Sequence, residues 1–171
     1  MSHTQPDSPV VQYWHFMEQL KAGSIYARLY RNQTYQWVRA LEIVKAIAGN
    51  GAIAAWVIFQ KLPLLWSAII AASQFLDAIK GVFPFAAQHK QAASLTAALD
   101  LMMLDAEDQW QNAATGPTQG EKLMAALQRL RRLKLETEQK FFPDGIADSK
   151  RLRSLAETEA KAYLKAVYET P

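Results

Sequence analysis

A chain of 171 residues, half of them hydrophobic, is long enough to bury a core as one domain. It has no cysteine, which excludes a disulfide framework and thiolate chemistry, and its net charge of +3 is too mild to argue nucleic-acid binding. The mean hydropathy of −0.12 averages over an uneven chain, because residues 46–88 hold very few charges and the chain after Gln88 is rich in them.

The opening MSHTQPDSPV has no basic-then-apolar layout of a secretory signal, and Pro6 and Pro9 suggest a loose tail over residues 1–10. The rest reads as nearly all helix, since glycine and proline are few and fall where helices should end. A first helix is predicted from near Val11 to Gln60, with room for a break. Pro63 stops it within Lys61-Leu62-Pro63, because proline cannot continue a helix and restricts the residue before it. A second apolar helix is predicted from Leu64 to Phe83 or Phe85, loosened at its end by Gly81 and Pro84. A third spans His89 to Asn112 and carries Leu95, Leu99, Met102, Leu104 and Trp110. ATGPTQG is a loop. Thr118 and Glu121 have capping-box spacing for a fourth helix, with Leu123, Leu127, Leu130 and Leu133 near one stripe. FFPDG breaks that helix. Asp148 or Ser149 caps a last one, expected to turn Leu152, Leu155, Ala156, Tyr163 and Val167 to one face. No strand alternation and no repeat is visible.

Residues 46–88 pose a choice between a buried core and a pair of membrane spans. A span needs roughly 20 mostly apolar residues. The second apolar helix has that length, marred by Asp77 and Lys80. The first has a clean run of only about 14 residues, a length that also suits a buried core helix. Two patterns favour the membrane. Trp37 and Trp56 stand 19 positions apart, roughly 28 Å along a helix and close to one hydrocarbon thickness. Trp66 lies across the turn from Trp56, and Phe83 lies towards the level of Trp37. Two aromatic levels are what membrane interfaces select. In a hairpin turning at Lys61, Lys45 also comes level with Asp77 and Glu42 with Lys80, so charges that are costly near a bilayer interior acquire partners. Gly49 and Gly51 come level with Ser73 and Ala71, which lets two backbones approach. Arg28, Arg31, Arg39 and Lys90 outweigh Lys61, so the positive-inside rule puts both termini in the cytoplasm.

No catalytic constellation is present, so the chain does not read as an enzyme. His3, His15 and His89 are not spaced as metal ligands, and Gly49-Asn50-Gly51 is no phosphate loop. Asp105, Glu107 and Asp108 read as a solvated helix face. Arg129, Arg131, Arg132 and Lys134 read as the wet side of an amphipathic helix, with contact to anionic headgroups as the alternative. Asn50, Ser73, Gln74 and Asp77 give the hairpin more polarity than two lipid-facing helices need: either Asn50 bonds across the hairpin to Ser73 or Gln74, or these residues are candidates for a pore lining or subunit contact. A hairpin alone cannot enclose a channel, so a pore needs several copies. The segment IYARLYRNQTYQWVRALEIV, with Arg28, Arg31 and Tyr35, either lies at the headgroup layer or packs against the C-terminal helices. No cofactor or metal is indicated.

That Arg- and aromatic-rich helix, the hairpin turning at QKLP and the charged helical tail together resemble the SLATT group of small two-span effector domains from bacterial defence and conflict systems. The resemblance covers the chain from about Tyr13 to Tyr168 and is architectural, without a catalytic motif. It implies a membrane effector that assembles in the bacterial inner membrane and permeabilises it when a nucleotide signal or a partner protein triggers it. This chain has no recognisable nucleotide-binding domain, so the trigger would come from a separate sensor protein or from release of inhibition.

The expected fold is all-α: a juxtamembrane helix over 11–39, a transmembrane hairpin over 40–87 and a cytosolic helical domain over 88–171. The expected function is a homo-oligomeric, pore-forming or membrane-disrupting antiviral effector. Trp37, Trp56, Trp66 and Phe83 would mark the interfaces, and Lys45–Asp77 and Glu42–Lys80 the internal pairs. The partners would be the lipid bilayer and a regulatory protein, with no nucleic acid. The alternatives are a membrane-anchored helical interaction module without a pore and a soluble helical adaptor.

Overall fold

The computed structural model describes residues 8–58, 67–68, 71, 74–75, 78, 84–113 and 119–168, excepting the side chains of residues 44–45, 47–58 and 119. Among these residues the chain is all-α. Four helices are delimited: α1 (Pro9–Ile58), α2 (Phe85–Ala113), α3 (Gln119–Phe141) and α4 (Lys150–Tyr168). Residues 67–68, 71, 74–75 and 78 are also helical, inside the second apolar stretch. The elements divide into two compact units, Met1–Tyr30 with Gln91–Pro171 and Arg31–Lys90.

The helix ends follow from local chemistry. Ser8 caps α1: its Oγ accepts from the Val11 amide at 3.4 Å and its carbonyl from the Gln12 amide at 3.0 Å. Pro9 takes the first helical position, where its fixed φ fits and no amide is missed, so α1 starts there and not near Val11. It then runs 50 residues without a break. Helix α2 begins directly after Pro84, whose carbonyl accepts from the Gln88 amide at 2.9 Å. Thr118, of the expected capping box, lies outside the described residues, as does the Lys61-Leu62-Pro63 turn. After Phe141 the Gly145 amide bonds back to the Phe142 carbonyl at 3.0 Å, closing a turn over Pro143 and Asp144. Gly145 has φ +78°, a conformation that favours glycine. Ser149 caps α4, its carbonyl accepting from the Arg153 amide at 2.9 Å and its Oγ from the Leu152 amide at 3.5 Å.

In the first unit one large core cluster joins all four helices, and a smaller one, Ile25 with Ala156 and Ala160, joins α1 to α4. Tyr13, Met17 and Leu20 of α1 meet Leu95, Leu99 and Met103 of α2, Leu123, Leu127 and Leu130 of α3, and Leu164 of α4. Three aromatic contacts close one side: Trp110 lies 6.0 Å from Tyr13 and 5.6 Å from Trp14, and Trp14 lies 5.6 Å edge-on from Tyr168. The Tyr13 hydroxyl donates to the Ala106 carbonyl at 3.0 Å, which satisfies its buried polar end.

Some expected core positions fall outside. Leu133 is 43% exposed, because at 100° per residue Lys134, not Leu133, returns to the line of Leu123. Leu104 is exposed on α2. On α4 the buried stripe is Ala156, Ala160 and Leu164, while Leu155 and Val167 face outward.

Candidate functional site

The expected site lies in the unit Arg31–Lys90, much of it outside the described residues. Ser73, Asp77, Lys80, Trp66 and Phe83 lie outside them altogether. Asn50, Lys45 and Trp56 are helical positions of α1 whose side chains are not described. Both expected charge pairs, Lys45–Asp77 and Glu42–Lys80, therefore lie outside the described residues in at least one partner. Three expected site residues have described side chains: Trp37, Glu42 and Gln74 are all exposed.

What is described of this unit has one pronounced character. Thr34 is its only buried described residue, at 3% exposure, and its hydroxyl donates to the Arg31 carbonyl at 2.8 Å. Tyr35, Trp37 and Ile43 of α1 are 51%, 56% and 50% exposed, and Phe75 is 65% exposed. Arg39 and Glu42 stand among them, also exposed. Near the start of α2, His89 Nδ1 lies 3.1 Å from the Arg31 carbonyl oxygen, a contact that requires the proton on Nδ1, and the His89 ring meets Tyr35 at 5.5 Å. Among the described residues no helix is long and apolar enough to cross a membrane.

The other unit absorbs most of the remaining sequence signals as packing. Tyr26 donates through its hydroxyl to the Ala147 carbonyl at 2.7 Å and accepts from the Ser149 amide at 2.9 Å. Arg28 pairs with Glu159, and Tyr30 packs edge-on against Phe142 at 6.1 Å. For these three residues of IYARLYRNQTYQWVRALEIV, packing against C-terminal segments is the outcome. Two of the three residues in the acidic cluster are engaged: Asp105 pairs with Arg129, and Glu107 accepts from the Tyr163 hydroxyl at 2.8 Å, while Asp108 is exposed. Burial first, then that bond to Glu107, pushes the Tyr163 hydroxyl up to about 12. Among the described residues no group of acidic or histidine side chains could hold a metal ion. Arg131 and Arg132 face outward, while Lys134 bonds Glu138 at 2.6 Å.

A feature the sequence reading missed is a cleft in this unit, of about 570 Å³, between α1, α2, α3, α4 and the turn before α4. Its one signal in the sequence is Gly23, a glycine in the middle of a helical pattern. The chain matches no family model, no curated protein and no solved structure.

Proposed function

We propose that the chain is a membrane effector of the two-span type. The segment 40–87 enters the bilayer as a helical hairpin, and the bundle built by the four helices stays on the cytoplasmic side. Copies assemble through the hairpin and permeabilise the bacterial inner membrane. The observation that carries this reading is the uncovered character of the unit Arg31–Lys90, where Tyr35, Trp37, Ile43 and Phe75 are at least half exposed and Thr34 alone is buried among the described residues. The bundle also leaves Leu101, Leu104 and Leu135 more than half exposed, but it has a buried core beside them; here the described residues bury Thr34 alone, so lipid or another chain is what can cover the apolar groups. The unbroken course of α1 to Ile58 adds support, since it keeps Trp37 and Trp56 on one helix roughly 28 Å apart. Arg31 and Arg39 flank the apolar stretch on its N-terminal side, as cytoplasmic flanks require.

Within this reading Asp77 is the partner of Lys45, and Asn50, Ser73 and Gln74 meet their counterparts in neighbouring copies. Asp77→Ala then strands Lys45 and weakens assembly and toxicity; unchanged oligomer size and unchanged toxicity would remove that role. The broader reading is tested by expressing the chain in bacteria, washing membranes with carbonate and following dye entry. Retention with dye entry is the expected result. Retention without dye entry favours the second reading, an anchor that only carries the bundle, for which a foreign two-span anchor should restore function. Release into the supernatant would overturn both.

A further inference from the structure

The bundle keeps a space that its own core does not fill. The cleft of about 570 Å³ falls within the range of small-molecule sites, roughly 300–1,000 Å³. Its floor is apolar, made by Ala22 and Gly23 of α1, Leu95 and Leu99 of α2 and Ala156 of α4. Tyr26 forms part of the wall, fixed through its hydroxyl by Ala147 and Ser149.

Gly23 is the informative residue. It sits inside α1, where glycine costs about 1 kcal/mol relative to alanine. No crowding demands it, because a Cβ there would meet Leu99 Cδ1 at 3.8 Å and Lys134 Cε at 3.9 Å, ordinary contacts. With no side chain at this position, the Leu99 methyl and the Lys134 stem come close over the helix backbone and add their apolar surface to the floor.

The rim decides the charge of an occupant. Each cation on it already faces a carboxylate. Lys134 bonds Glu138 at 2.6 Å, Arg153 bonds Asp148 at 2.8 Å, and Lys161 approaches Glu18 at 3.6 Å. Glu18 also faces His15 at 3.7 Å. Glu157 is different: it lines the cleft, is exposed, and has no hydrogen bond or ion pair with any described residue. The lining carries four carboxylates, Glu18, Glu138, Asp148 and Glu157, against the three cations Lys134, Arg153 and Lys161, so its net charge disfavours an anion. A cation finds a free carboxylate.

We infer that the cleft binds a small aromatic amine, its ring lying among Leu99, Tyr26 and Ala156 and its protonated nitrogen meeting the Glu157 carboxylate. The site needs only the bundle, so it stands whether or not the 40–87 segment enters a bilayer.

The test is equilibrium dialysis of the full chain in phosphatidylcholine nanodiscs, with empty discs as the blank. The probes are tryptamine and indole-3-propionate, which share a ring and differ in charge. Tryptamine should bind above the blank, and indole-3-propionate about two- to fivefold weaker, the size of one solvent-exposed charge pair. Glu157→Gln should weaken tryptamine by about the same factor without disturbing the fold, because Glu157 is exposed. Gly23→Leu fills the floor and should weaken both probes by about tenfold or more. The inference is overturned if tryptamine binds no better than to empty discs, if the acid binds as well as the amine, or if Glu157→Gln keeps wild-type affinity. Glu157→Gln alone decides the matter should Gly23→Leu not fold.

Discussion

The two units use the same secondary structure to opposite ends. In Met1–Tyr30 with Gln91–Pro171, helices cover one another: Tyr13, Met17, Leu20, Leu127 and Leu130 are wholly shielded from solvent, while Leu101, Leu104 and Leu135 stay bare on outer faces. In Arg31–Lys90, the described helical residues leave Trp37, Ile43 and Phe75 bare. Helix α1 runs through both without a break, so whether a residue is helical and whether it is covered are separate questions. Helix formation needs only good formers and no breaker. Burial needs a partner, and the first stretch of α1 finds three within its own unit. The bare stretch has none among the described residues, and the proposed function gives that role to the bilayer and to other copies.

The largest effect that separates the units is cavity formation. Leu127→Ala or Leu130→Ala should cost about 2–5 kcal/mol, since each loses a fully buried side chain inside a close-packed core. Ile43→Ala should change bundle stability by less than about 0.5 kcal/mol, as exposed substitutions do. Urea unfolding followed by far-UV circular dichroism measures both, and equal costs would erase the distinction between the units.

Alkali should act on the bundle through its tyrosines. Burial raises the Tyr168 hydroxyl to about 12, as it does for Tyr163, with the Glu107 carboxylate adding to the shift. A folded-state value above the unfolded value of about 10 means the folded chain holds its proton longer. The stabilisation is therefore complete below pH 10 and is lost as pH rises through about 12. The thermal midpoint should fall across that window and fall less in the double variant Tyr163→Phe, Tyr168→Phe. A midpoint that is flat in this range would contradict the burial of these rings.

Two smaller effects sharpen the picture of the bundle. Gly23→Ala should stabilise it by up to about 1 kcal/mol, because alanine suits a helix interior and its Cβ meets only ordinary contacts. A loss of stability would mean that the backbone at Gly23 is more tightly held than its neighbours show. Arg28→Ala should cost no more than about 1 kcal/mol, since its pair with Glu159 is largely exposed. A larger cost would make that pair an anchor of α4.

Much of the bundle was legible in the sequence. Period located the helices after Pro84, although α2 starts at Phe85 and not near His89, and the stripe Leu123, Leu127 and Leu130; Ser149 was one of the two expected caps of α4, and FFPDG located the turn. Three features were harder. Pro9 looked like tail, because proline breaks helices everywhere except at their start, and only the Ser8 bonds reveal that position. Leu133 and Leu155 looked like core, because a stripe read by eye tolerates a side chain that has drifted out of line. The cleft left only Gly23 as a sign, because its residues come from distant parts of the chain and its charges look like ordinary surface. Of the expected hairpin site, only the exposure of Trp37, Glu42 and Gln74 is on view.

The absence of cysteine allows the central claim to be tested cleanly. Single spin labels placed by Ile43→Cys, Phe75→Cys and Leu155→Cys, in the full chain reconstituted in vesicles, report collision with oxygen, which concentrates in lipid, and with a water-soluble nickel chelate. The labels at positions 43 and 75 should favour oxygen and exclude nickel, and the label at position 155 should do the reverse. Nickel access at 43 and 75 equal to that at 155 would place the Arg31–Lys90 unit in water and contradict the membrane reading.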